Sequence, residues 1–268
     1  MAFTNVPQLS KLDERRTLAM LMGGSSQQQV ATHFGVHKST ISTSFVQRYF
    51  EFSSMDCPFP WIVSKQSPNQ LTDVYDGWSE SYDKDVNGIH YVAPLILAKT
   101  LAAFYPVGGR TVKVLDIATG TGIVGFELQK LGFSILDGLD PSQRMLDAAR
   151  GSNVYRNLIC KYFTAEPTPG LEKDSYDVIV SAGSLFPGHL PPDCFIEAAR
   201  IVKPGGLICV ITRTEGKGSF FSDPKYLDKF KATIKLLKEE EKLEEIKWEK
   251  TNYYKSTSGV LILYRVLQ

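Results

Sequence analysis

The segment 111–122, TVKVLDIATGTG, constrains this chain more than any other stretch of it. Val112, Val114, Leu115 and Ile117 make a near-continuous apolar run, the pattern of a parallel strand buried on both faces. The run gives way at once to Gly120 and Gly122, and a helical pattern follows from about Ile123 to Leu131. A second apolar strand, Ile135–Leu139, ends at Asp140, and a helix follows around Pro141–Arg150, where proline suits the first turn. Further strands are expected at 158–163, 176–182 and 207–212, with a helix from about Pro192 to Ile201. Strands alternating with helices imply right-handed βαβ units in a doubly wound α/β sheet. A ligand should then bind beyond the carboxyl ends of the strands.

The glycine loop by itself admits two readings. Gly120-x-Gly122-x-x-Gly125 satisfies G-x-G-x-x-G, and Asp140 lies 20 residues after the first of these glycines. That is the dinucleotide fingerprint, so a nicotinamide or flavin enzyme competes for this chain. Against it, Asp116 ends the first strand four residues before Gly120, giving D-x-x-x-G-x-G. Dinucleotide binders usually run an apolar strand straight into the glycines. Ala199 to Arg213, ARIVKPGGLICVITR, resembles the L-x-R-x-L-K-P-G-G turn before strand five of class I S-adenosylmethionine-dependent methyltransferases. A strand near 243–253 followed by GVLILYRVL from Gly259 is similar to the antiparallel hairpin that closes that family's sheet. The resemblance implies a seven-stranded Rossmann-like methyltransferase sheet.

Upstream, Val74 to Val86 reads VYDGWSESYDKDV and resembles the Y-D-x-W-A-x-x-Y-D-x-D-V signature of the methyltransferase-like proteins named for the Williams–Beuren syndrome region. The likeness continues through Ala93-Pro94, the glycine loop, Glu127-Leu128-Gln129, Met145-Leu146, Lys203 to Leu207 and Leu263-Tyr264-Arg265, covering essentially 71–268. Ala118-Thr119 departs from the family's usual pair at a place where the change is harmless.

S-adenosyl-L-methionine presents an adenosine, a sulfonium and an amino-acid tail. Gly120 and Gly122 let the backbone approach such a ligand, with Ala118 in the same loop. Asp116 is placed to hold the ammonium by a charge-assisted hydrogen bond, or else to bond local backbone N–H groups. Asp140 should accept both ribose hydroxyls while also serving the helix start beside Pro141. Pro141, Ser142 and Met145 would border the adenine, with Thr164, Ala165 or Glu166 near its amino group. Tyr75 and Tyr82, seven apart on an expected single helix, share one face. The resemblance implies that they cover the ligand, and a ring face attracts a cation by roughly 0.5–2 kcal/mol. Ser181 to Leu185 would face the methyl group, and His189 reads as a loop histidine at the surface. No catalytic acid or base is named, because methyl transfer from a sulfonium gains much from alignment and desolvation. The implied acceptor is a small molecule.

Residues 1–52 form a second part, with 53–70 (Pro58, Pro60, Pro68 and several serines) as a linker. This part resembles the helix-turn-helix of Tc1/mariner-like transposases. A helix Asp13–Met22 stops at Gly23-Gly24, Ser25 or Ser26 caps a second through Phe34, Gly35 turns, and a third runs from Lys38 to about Phe50. His37, Lys38, Thr40 and Thr43 would open the recognition helix. Thr43 stands where relatives commonly carry arginine, and residues 1–50 offer five Lys/Arg against Asp13 and Glu14. DNA is therefore a weaker partner than a small molecule, and the alternative reading is a DNA-associated protein whose methyltransferase fold is a cofactor-binding or vestigial module.

The net charge of +1 supplies no field that steers the chain to nucleic acid or an acidic membrane. The longest apolar stretch, Tyr91 to Phe104, is interrupted by Pro94 and Lys99 and is shorter than the ~20 residues of a membrane span. Met1 to Arg16 has no apolar run before its charges, so no secretory signal is expected. Cys57, Cys160, Cys194 and Cys209 lie far apart, and the four histidines lack metal-ligand spacing. No metal is expected, and reduced thiols point to the cytoplasm, or the nucleus. Residues 223–247 read as a solvated helix leading into the hairpin.

Overall fold

The computed structural model describes residues 27–33, 35, 68–107, 110–216, 219–255 and 257–268. The chain divides into two compact units, 1–64 and 65–268. In the first, helix α1 (Gln27–His33) buries Val30 and Ala31. Gly35 follows with a φ of +63°. The expected first and third helices, and the groove-facing His37, Lys38, Thr40 and Thr43, lie outside the described residues, as does most of the linker. Helix α2 (Pro68–Trp78) begins inside that expected linker, with Pro68 at its first position.

The second unit continues with α3 (Tyr82–Gly88), α4 (Ala93–Phe104), β1 (Lys113–Ile117), α5 (Ile123–Lys130), β2 (Ile135–Asp140) and α6 (Gln143–Gly151). It then runs through β3 (Asn157–Cys160), β4 (Tyr176–Ala182), α7 (Phe195–Ile201), β5 (Val202–Arg213), α8 (Pro224–Glu239), β6 (Leu243–Tyr254) and β7 (Thr257–Val266). The seven described strands form one sheet in the order β3-β2-β1-β4-β5-β7-β6, in which β7 runs opposite to the other six.

The two-residue period of a strand sends alternate side chains to opposite faces, and both faces are buried here. Leu115, Ile117, Ile179, Ile208, Val210 and Ile262 join a core under α7 and α8. Val114, Val178, Val180, Cys209, Ile211 and Leu263 join a second core under α4 and α5. That two-sided burial explains the unbroken apolar runs in the sequence. The charged stretch after 223 forms α8, capped by Asp223 and anchored by the buried Phe230, Ile234 and Leu237.

Three boundaries differ from the sequence reading. β3 ends at Cys160 rather than 163, because it is a half-exposed edge strand and Tyr162 and Phe163 leave it. β5 begins at Val202, before Pro204-Gly205-Gly206. Its register against β4 shifts between Tyr176 and Val178, so the turn is absorbed as a bulge. The expected single helix across Tyr75 and Tyr82 is two helices, with a turn at 79–81. Asp85 stabilises the break, accepting from Trp78 Nε1 at 2.7 Å and Ser81 Oγ at 2.9 Å. Among the described residues no helix is long and apolar enough to cross a membrane.

Candidate functional site

A cavity of about 270 Å³ opens beyond the carboxyl ends of β1, β2 and β4 and is roofed by α2 and Tyr82. Ala118 and Gly120 of the glycine loop, Asp140, Pro141 and Ser142 at the tip of β2, and Tyr75 and Tyr82 of the roof all line it. Phe163 and Thr164 after β3 and Ala182 to Ser184 after β4 complete the walls. A wider groove of about 480 Å³ lies between α8 and β6. It is more open and lined by apolar side chains such as Phe230 and Trp248, and its charged groups pair with each other, Lys235 with Glu239 and Lys238 with Glu245.

Asp140 ties its two neighbouring loops together. One carboxylate oxygen accepts from the Gly120 N–H and the other from the Ser142 N–H, each at 2.9 Å. Burial pushes its pKa up to about 6, against the lowering effect of those two bonds and with the Asp76 charge adding to the rise. The cap of α6 is Ser142, whose hydroxyl accepts from Met145 N–H, so the helix start does not consume the aspartate side chain.

Asp116 sits one layer deeper and is not among the lining residues. Its side chain is 1 % exposed. Oδ2 accepts from the Tyr155 hydroxyl at 2.6 Å, and Oδ1 is buried with no hydrogen-bond partner among the described residues. Burial pushes its pKa up to about 7, with Tyr155 lowering it and the Asp140 charge raising it.

Gly122, Met145, Ala165 and Ser181 are likewise not among the lining residues. Gly122 has a φ of +94° and a Cβ there would meet Tyr155 Cε2 at 2.9 Å, so backbone conformation and protein packing, not the cavity, require that glycine. Met145 is buried under α6. Ser181 is fully buried, donating to the Ile117 carbonyl at 2.7 Å and pairing with the Ser184 hydroxyl, which reaches the cavity in its place. Thr164 rather than Ala165 lines the wall after β3, and Glu166 is exposed.

Tyr75 and Tyr82 meet over the cavity with ring centroids 6.4 Å apart although they sit on different helices. The roof is hydrogen-bonded to the sheet side. Asp76 accepts from Ser142 Oγ at 2.5 Å, Thr72 pairs with Tyr162 at 2.9 Å, and Thr121 donates to Asp83 at 2.5 Å. His189, read from sequence as a surface residue, lines the cavity, its Nε2 2.7 Å from the Tyr75 hydroxyl. Burial drives its pKa down to about 3, the Pro187 backbone opposing this and the Arg213 charge adding to it, so the imidazole is neutral near pH 7. Leu71, Thr72 and Tyr162 were likewise not singled out from sequence, since only the packing of α2 on the β3 end brings them to the site.

Comparison with known proteins agrees with this geometry. Residues 115–210 match the family described as "Methyltransferase domain". The human "Methyltransferase-like protein 27" is 34% identical over 165 residues, 62% of this chain and 64% of that protein. The malonyl-[acyl-carrier protein] O-methyltransferase of Marinomonas sp. (strain MWYL1) is 30% identical over 161 residues, 59% of this chain and 56% of that one. The chain thus covers less than two thirds of either relative. Among solved structures, the [4+2]-cyclase SpnF superposes with a TM-score of 0.56 at 17% identity, covering 76% of this chain and 98% of that one. A chain of the Haloferax volcanii complex between the Trm112 methyltransferase activator and a methyltransferase gives 0.54 at 19% identity, with 72% and 98% covered. Residues 115–210 are thus similar to a methyltransferase domain, and they lie in a seven-stranded Rossmann-like sheet whose fold these solved structures share.

Proposed function

We propose that this protein is an S-adenosylmethionine-dependent methyltransferase acting on a small-molecule acceptor. The observation that carries the reading is the pair of acids at adjacent strand tips. Asp140 opens on the cavity, and Asp116 lies behind the same loop with one buried oxygen that no protein donor satisfies. A ligand with vicinal hydroxyls and an ammonium group fits that pair.

A carboxylate offers about four lone-pair sites. Asp140 uses two on backbone N–H groups and keeps two for the ribose hydroxyls. Asp116 Oδ1 would take the ammonium, directly or through water. Leu71, Pro141 and Phe163 offer an apolar surface to the adenine, and Tyr75 and Tyr82 offer their rings to the sulfonium. When bound, S-adenosylmethionine supplies an electrophilic methyl group. The protein's own contribution is to align the acceptor and exclude water under the α2 roof. His189, neutral and hydrogen-bonded to Tyr75, is part of that wall, and no general base is assigned.

The α2 roof over the strand-tip cavity favours a small acceptor over a polymer laid across an open groove. The free thiols Cys160, Cys194 and Cys209 suit the reducing cytoplasm. The test is methyl-labelled S-adenosylmethionine incubated with the protein and a cell extract. We expect label in the small-molecule fraction, lost with Asp140→Ala. Salt-dependent retention of the full chain on DNA, with no label in any fraction, would favour the DNA-associated alternative instead. Absence of label from every fraction, with no cofactor binding by calorimetry, would defeat the enzyme reading.

A further inference from the structure

We propose that Tyr155 is a positioning residue that holds the Asp116 carboxylate so that its second oxygen is kept for the cationic tail of the cofactor. The inference rests on the cofactor reading above and goes beyond it by assigning a role to a residue outside the glycine loop and the cavity wall.

Three observations meet at this side chain. The first is a hydrogen-bond relay. The Gly125 N–H, in the first turn of α5, donates to the Tyr155 hydroxyl at 3.1 Å, and that hydroxyl donates to Asp116 Oδ2 at 2.6 Å. The hydroxyl's one proton is therefore committed to the carboxylate, and the polarity of the helix start is passed through it. The second is space. A Cβ on Gly125 would overlap the Tyr155 ring and hydroxyl, and one on Gly122 would meet the ring at 2.9 Å. The second and third glycines of G-x-G-x-x-G therefore make room for a tyrosine of the same chain. The third is the outcome at the acid, where Oδ2 is occupied, Oδ1 is free, and both are shielded from water. With one oxygen tethered, the carboxylate cannot rotate to present both to the same donor.

The titratable groups bearing on Asp116 are Tyr155 itself and Asp140. Removing the hydroxyl deletes the hydrogen bond that favours the ionised acid, while burial and the Asp140 charge remain. The acid then titrates at higher pH, and a ligand that needs it ionised binds more weakly near neutrality.

The experiment uses the full chain with Tyr155→Phe, and Gly125→Ala as a second variant that displaces the ring while keeping its hydroxyl. Without ligand, the ¹³Cγ signal of Asp116, identified by its loss in Asp116→Asn, is titrated by NMR. The Phe variant should raise its midpoint by about one pH unit, and Gly125→Ala should move it the same way. An unmoved midpoint overturns the proposal whether or not the cofactor reading stands. With ligand, calorimetry compares S-adenosylhomocysteine with 5′-methylthioadenosine, which lacks the amino-acid tail. Tyr155→Phe should weaken the former roughly tenfold at pH 7 and leave the latter within about twofold. Equal losses for both ligands would mean that Tyr155 only supports the fold and would overturn the proposal. Failure of the wild type to bind either ligand would sink the cofactor reading, and with it the part of the proposal that assigns Oδ1 to the tail.

Discussion

Asp116 and Asp140 stand near the tips of adjacent strands, where burial disfavours their charged forms, and that has a consequence for the ligand-free protein. Their pKa values rise to about 7 and about 6 from an unfolded value near 3.9. Between about pH 4 and pH 7 the folded chain therefore holds more protons than the unfolded one. Stability from these two groups is fully present at the acidic end of that window and falls as pH rises through it, by at most about 1.4 kcal/mol per pH unit for each acid. We expect Asp116→Asn to lose less stability than wild type across this range. Calorimetric melting at several pH values checks it, and a constant gap between the two proteins would show that Asp116 ionises normally. Both acids were legible in the sequence because each falls at or next to the end of an apolar strand, at a set distance from Gly120, although β1 runs one residue past Asp116 to Ile117. His189 was not legible, because its partner Tyr75 lies 114 residues away and nothing local to a loop histidine reports burial.

At the scale of elements, the turn into β5 shows how a motif residue can serve packing alone. A Cβ on Gly206 would overlap the Asp177 carbonyl oxygen and lie 2.6 Å from Val202 Cγ1, and the β4–β5 pairing holds that backbone in place. Gly170, unlike Gly206, has a positive φ, +86°, and open space surrounds it. Gly206→Ala should therefore cost about 3 kcal/mol or more, near the upper end of overpacking losses. Gly170→Ala should cost only the left-handed strain of about 1–2 kcal/mol. Urea denaturation midpoints of the two variants rank them, and the reverse order would contradict the packing seen here. Interior strands such as β4, read as 176–182 and observed as Tyr176–Ala182, were legible because burial on both faces leaves a dense apolar run. The edge strand β3 and the α2–α3 break were misjudged, since one lacks that run and the other depends on bonds to Asp85.

For the molecule as a whole, every lining residue of the cavity falls between Leu71 and Pro191, within the 65–268 unit. A ligand that binds only the folded form adds about 2.7 kcal/mol at a hundred times its Kd. For a domain of this size that corresponds to roughly 5–10 °C in melting temperature. S-adenosylhomocysteine should produce such a rise in the full chain and NAD⁺ none. The opposite result would return the glycine loop to the dinucleotide reading. The amino-acid sequence by itself determined the order of strands and helices, the doubly wound sheet and the two strand-tip acids. Side-chain period, glycine spacing and the length of each apolar run are local quantities that a linear chain carries openly. Only the tertiary structure decided which glycines face the cavity and which face Tyr155, that Ser184 takes the place of Ser181, and that His189 meets Tyr75 beneath the roof. Those outcomes depend on contacts between residues far apart in the chain. The geometry of packing selects such contacts, and no local pattern encodes them.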